Sequence, residues 1–264
     1  MNPRAIQGAV VRMMYDPDFV TAVYGQRAVP GLTEPERALL RQVDRRAFTT
    51  DRFRRARAVH AIVDEYPASA AALGLAAVEG FLGSREFAAV LTGRGAMALA
   101  FGTWLKDQAS GVGRIEAAMA GLRRPAPALA APGALRCAPN IAPLTVPAGS
   151  LEWYEATIVS LGPEPLQGLA DQPPRPGLPR RSPVRRRQAD EYLLIELRPD
   201  GGMSLGTASE PLVRLLRFAA TPRSRQMLAA EAVARGASAQ EAPALLAGLV
   251  ADGLLVSAQV IPTW

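Results

Sequence analysis

The chain has 264 residues, of which 49% are apolar, enough for one large or two modest globular domains and too apolar for wholesale disorder. Cys137 is the sole cysteine and His60 the sole histidine, which excludes an intrachain disulfide and a soft-ligand metal cage within the chain. The formal net charge of +6 is carried entirely by residues 172–188, which hold six arginines and no acid, so the basic balance reads as one solvated tract rather than a phosphate-binding surface.

The N-terminus lacks the apolar core of a secretory signal, and no later run reaches the roughly 20 apolar residues of a membrane span. A cytoplasmic protein with no membrane attachment is expected. Asn2-Pro3 and Asp16-Pro17 each supply a cap and a first-turn proline, opening helices that end near Met14 and at Gly25. Thr33-Glu34-Pro35-Glu36 has capping-box spacing, with Leu39, Leu40 and Val43 as the apolar stripe behind it. A longer helix over 50–66 carries Phe53, Ala56, Val59, Ile62, Val63 and Tyr66, and Pro67 stops it. Further helices are predicted near 69–80, 84–92, 95–108 and 113–122, giving an all-helical domain over 1–123.

Six prolines between Pro125 and Pro147 predict a linker over 124–150, and a second Pro/Arg tract at about 163–189 reads as a disordered insertion. Between them, Tyr154, Ala156, Ile158 and Ser160 alternate, which predicts a strand over 152–160. Tyr192–Leu197 reads as a second strand, Pro199-Asp200-Gly201-Gly202 as a hairpin turn and Met203–Gly206 as the returning strand. Helices follow from about Glu210, over 222–235 and over 239–252. The whole is predicted to be an α+β chain whose last domain, 151–264, is a β-ribbon with three helices in a winged-helix-like plan.

Catalytic chemistry is hard to assemble from these residues. His60 and Asp64 stand one turn apart as a conceivable base pair, but no nucleophile accompanies them and a surface position is the plainer reading. Cys137 falls in the expected linker and reads as an incidental thiol. Thr92-Gly93-Arg94-Gly95 lacks the lysine of a phosphate-binding loop. Residues 236–264 contain no Lys or Arg, so the last helix is a poor reader of DNA, whose affinity rests on phosphate neutralisation. Met203–Gly206 is short, neutral and free of proline, the profile of an edge open to an added strand.

Two resemblances give this plan a context. EYLLIELRPDGGMSLGTASEPLVRLLRF (residues 191–218) with SAQEAPALLAGLVADGLLV (238–256) resembles the PqqD-like recognition elements of ribosomal-peptide biosynthesis. Here Leu205-Gly206 stands where those elements end a strand in Leu-Asn. FRRARAVHAIVDEYPASAAALGLAAVEGFLGSREFAAVL (53–91) resembles the helical domain of HvfC/BufC and MbnC-like partner proteins. YGQRAVPGLTEPERALL (24–40) is also similar to the small helical subunit of some ring-opening dioxygenases.

The combination implies a non-catalytic accessory subunit of methanobactin type. Such a subunit pairs with an MbnB-like TIM-barrel iron oxidase and binds the leader of a precursor peptide whose cysteines the oxidase modifies. The iron would belong to the partner, with no cofactor in this chain. The resemblance implies leader contacts along Met203, Ser204, Leu205 and Gly206, and along an exposed flank of the last helix at Ala242, Leu245 and Leu249. The alternatives are a winged-helix DNA-binding regulator using the Arg-rich tract, or a dioxygenase small subunit.

Overall fold

The computed structural model describes residues 1–49, 52–93, 95–105, 111–124, 133–171 and 190–257. The Arg-rich stretch 172–188 lies outside them. The chain is mixed α+β and divides into two compact units, Met1–Ala117 with Leu151–Pro183, and Ala118–Ser150 with Val184–Trp264.

In the first unit the described residues of 1–117 form helices without strands. These are α1 (Pro3–Met13), α2 (Pro17–Tyr24), α3 (Glu34–Leu40), α4 (Arg46–Thr49), α5 (Arg52–Glu65), α6 (Pro67–Leu73), α7 (Leu75–Phe81), α8 (Arg85–Gly93), α9 (Met97–Trp104) and the start of α10 (Gly111–Leu122). Local chemistry sets their ends. The side chain of Asn2 accepts from the Arg4 amide, and that of Asp16 from the Phe19 amide at 2.9 Å. The span expected as one helix over 69–80 is two, because Gly74 adopts φ +84°, a left-handed conformation that interrupts the ladder. Tyr66, Phe81, Phe101, Trp104, Phe87 and Tyr15 pack ring against ring, mostly edge to face, with centroids 4.9–5.7 Å apart.

The second unit holds β1 (Leu135–Cys137) and β2 (Ile141–Pro147). The chain then returns to the first unit for α11 (Ser150–Leu161) and α12 (Pro165–Asp171). It continues in the second with β3 (Asp190–Leu197), β4 (Met203–Thr207), α13 (Glu210–Phe218), α14 (Arg225–Ala234), α15 (Ala242–Ala251) and β5 (Leu255–Ser257). One antiparallel sheet has the order β2-β3-β4, and β1 pairs with β5 in another. Gly201, at φ +83°, makes the three-residue turn between β3 and β4.

Three expectations are corrected here. The run 152–160 is a helix, because Ser150, Trp153, Thr157 and Leu161 are the buried positions, and their spacing of three and four is helical. It belongs to the helical unit, so the expected domain 151–264 loses its first segment. The expected linker 124–150 contains β1 and β2, and β2 is the true third strand of the ribbon. The expected disordered insertion at 163–189 includes α12, with Pro165 at its first position.

Both faces of the three-stranded sheet are buried. Ile141 and Leu194 lie on the face that packs against α13–α15, in a cluster with Leu135, Leu215, Leu216, Leu228, Leu246 and Leu255. Val146, Leu193 and Ile195 lie on the opposite face and are 0% exposed. Burial on both sides explains the unbroken apolar run Leu193-Leu194-Ile195 where a half-exposed strand would alternate.

Candidate functional site

The two edges of the β2-β3-β4 sheet differ in chemistry. The Leu197 amide donates to the Asn140 carbonyl at 2.8 Å, which fixes the parity of the β2–β3 ladder: residues 142, 144 and 146 turn their backbone groups toward β3. Pro143 and Pro147 therefore occupy the alternate positions, where an amide would point out of the sheet. The prolines that suggested a linker are compatible with an edge strand for this reason, and they guard that edge against further pairing.

The β4 edge has no such guard. Arg198 donates to the Gly202 carbonyl at 2.8 Å and Ala208 to the Tyr192 carbonyl at 2.9 Å. Ser204 and Gly206 consequently exchange backbone bonds with Glu196 and Leu194 of β3. Met203, Leu205 and Thr207 are the other set, and their N–H and C=O groups point outward. Among the described residues β3 is the only strand paired with β4. Leu205 lies opposite the fully buried Ile195 and is itself half-buried, while Ser204 is exposed.

The residues expected on the last helix divide. Leu245 is 41% exposed, whereas Ala242 and Leu249 are 1% and 6% exposed and belong to the core with Leu246. The expected exposed flank is corrected accordingly. On a helix that packs on α14 and β5, positions 242, 246 and 249 share the inward stripe. The solvent side of α15 carries Pro243, Ala244, Leu245, Ala247 and Gly248, with no polar side chain.

His60 and Asp64 do pair, Nε2 to Oδ1 at 3.4 Å, on an exposed face of α5. Cys137 is in β1 rather than a linker, its Sγ donating to the Ile141 carbonyl at 3.7 Å, and burial pushes the thiol up to about 11. Among the described residues no group of three or more His, Cys, Asp or Glu side chains is placed to hold a metal, and no helix is long and apolar enough to cross a membrane. In the helical unit a groove of about 670 Å³ runs past Arg12, Asp16, Phe19, Gly80 and Trp104. Two of its charged groups are engaged with each other, Arg12 bonding Asp16 at 3.0 Å and lying 4.1 Å over the Phe19 ring, and Asp18 also lines it.

One polar residue of note is not singled out by any motif. Glu116 of α10 is 1% exposed and accepts from the amides of Ala68 (2.7 Å) and Ser69 (2.8 Å), capping α6 from another helix. Burial pushes its carboxyl up to about 7 against the pull of those amides. The only sequence signal is an acid inside the apolar run of α10.

Comparison of the chain with protein-family models and with curated proteins gave no match.

Proposed function

We propose that this chain is a non-catalytic accessory subunit that captures an extended precursor peptide as an added strand beside β4. It would present that peptide to a second subunit, an MbnB-like barrel oxidase whose iron supplies the oxidising chemistry on cysteine. The reading rests above all on one observation: β4 ends its sheet with Met203, Leu205 and Thr207 directing backbone groups outward, while the opposite edge is blocked by Pro143 and Pro147. A three-stranded antiparallel sheet followed by α13, α14 and α15 is also compatible with the winged-helix-like plan of PqqD-like recognition elements.

Main-chain pairing explains how one module could accept a client with few fixed side chains. Each new backbone hydrogen bond contributes about 0.5–1.5 kcal/mol net, and up to six outward groups are on offer from three residues. Specificity would come from the alternate side chains of the client that fall beside Leu205. Leu245 remains a candidate contact. Ala242 and Leu249 act through the core beneath it.

The parity of β4 gives the test. Leu205→Pro deletes an outward amide and leaves the bonds of Ser204 and Gly206 to β3 in place. It is expected to weaken binding of a fluorescent leader peptide by about two- to tenfold while the chain stays folded. Ser204→Pro deletes an inward amide and is expected to cost about 1–3 kcal/mol of stability instead. Leader binding by Leu205→Pro at parental affinity would rule out strand addition at β4.

A further inference from the structure

Gly206 stands in the middle of β4 without a reason in the fold. Its φ is not positive, so the backbone makes no demand for glycine. A Cβ there would meet no heavy atom within 4 Å beyond its chain neighbours, so packing makes none either. Gly202 is the contrast, because a Cβ on it would meet the Arg198 guanidinium at 2.5 Å and the Asp200 carboxylate at 2.9 Å. A glycine inside a strand gives up side-chain contacts and backbone entropy, and it often marks where another chain approaches closely.

The vacancy lies on the face of the sheet that α13 packs against. Ser204 and Gly206 share that face with Glu196 and Leu194, their partners on β3. Leu194 is half-buried, and its β4 partner lays no side chain beside it. Glu196 is exposed, and its carboxylate has no ion pair among the described residues. The cations around it are taken: Arg198 by Asp200 at 3.7 Å, Arg214 by Glu210 at 2.7 Å and Arg217 by Thr145 at 3.0 Å.

The outward parity of Met203, Leu205 and Thr207 dictates how a client would lie. Its hydrogen-bonded pairs would form with those residues, leaving Ser204 and Gly206 in the alternate pairs, where facing side chains sit closest. A client side chain opposite Gly206 would lie over bare backbone and against Leu194. One opposite Ser204 would have only a small hydroxyl side chain between itself and Glu196, with strands about 4.8 Å apart.

We infer that the client of the β4 edge carries a large apolar residue, best an aromatic one, opposite Gly206 and a basic residue opposite Ser204. The inference rests on the strand-addition reading and names the class of peptide it would select. With the client antiparallel to β4, as β3 is, the motif reads apolar-any-basic from N- to C-terminus. A ring over a strand glycine restores the contacts that the glycine lacks. An Arg or Lys side chain is long enough to cross Ser204 and meet the Glu196 carboxylate.

The test uses the full chain and fluorescent peptides in a Ser/Thr background that differ only in a central triplet. Phe-Thr-Arg is expected to bind about two- to fivefold tighter than Ala-Thr-Arg, and tighter by a similar factor than Phe-Thr-Glu. The reversed triplet Arg-Thr-Phe is expected to bind more weakly than Phe-Thr-Arg. Gly206→Val fills the vacancy and is expected to remove the preference for Phe over Ala. Glu196→Lys is expected to invert the preference for Arg over Glu. Equal affinity of the parent for every triplet, weakened throughout by Leu205→Pro, would overturn the inference and leave strand addition at β4 standing. Preferences that survive both Gly206→Val and Glu196→Lys would also overturn it. Affinities indifferent to Leu205→Pro would refute the β4 reading, and the inference with it. The comparison of triplets on the parent decides the matter whether or not either variant folds.

Discussion

Two carboxylates respond to pH in opposite directions. Glu116 has a folded pKa raised to about 7 from 4.5, so the folded state holds its proton more tightly than the unfolded chain. Its contribution is fully present below pH 4.5 and is lost as pH rises through 7, by about 3 kcal/mol. Glu36 behaves oppositely. It accepts from the amides of Asn2 (2.5 Å) and Thr33 (2.9 Å), which hold it down to about 2, so its contribution is present above pH 4.5 and lost as pH falls through 2. Denaturant midpoints measured from pH 4.5 to 7.5 are expected to fall for the parent and to flatten for Glu116→Gln. Gly102 offers a second test, since a Cβ there would meet Tyr66 Oη at 2.7 Å and Ala117 Cβ at 2.9 Å. Tyr66 is held by its bond to the Ala98 carbonyl and cannot easily yield. Gly102→Ala is expected to cost about 1–3 kcal/mol in chemical denaturation.

Among the elements, those with explicit end signals were legible from sequence. Asn2-Pro3, Asp16-Pro17 and the Thr33–Glu36 box start helices where the spacing predicts, and the β3–β4 hairpin follows from its glycines. The third strand was not legible, for two physical reasons. Over 152–160 the alternation of Tyr154, Ala156, Ile158 and Ser160 coincides with a helical stripe of Ser150, Trp153, Thr157 and Leu161, and a short window cannot choose between periods of 2 and 3.6. In β2 the prolines carry a loop signal, and only the pairing parity shows that Pro143 and Pro147 face away from the ladder. Of the candidate site, β4 was legible as an edge, but which amides point outward was not, since that depends on the register with β3. On α15 the apolar composition conceals which side is core. Leu246→Ala is expected to cost about 2–5 kcal/mol and Leu245→Ala much less, a contrast that thermal melts would register.

At the scale of the whole chain, the sequence order of the two units is interleaved. α11 and α12 return to the helical unit between strands that belong to the second. The β4 edge belongs to the second unit, so changes on it are expected to leave the helical unit folded. Under the proposed function, the division of labour between a peptide-binding chain and a metal-bearing partner would depend on the β4 edge, because a subunit that cannot hold the client has nothing to present.

Amide hydrogen exchange along β4, with and without leader peptide, tests this most directly. In the free chain Ser204 and Gly206 are expected to exchange slowly through their bonds to β3, while Met203, Leu205 and Thr207 exchange fast. Added leader is expected to slow the fast set and leave the slow set unchanged. Saturating leader with Met203, Leu205 and Thr207 still exchanging at their free rates would contradict the account.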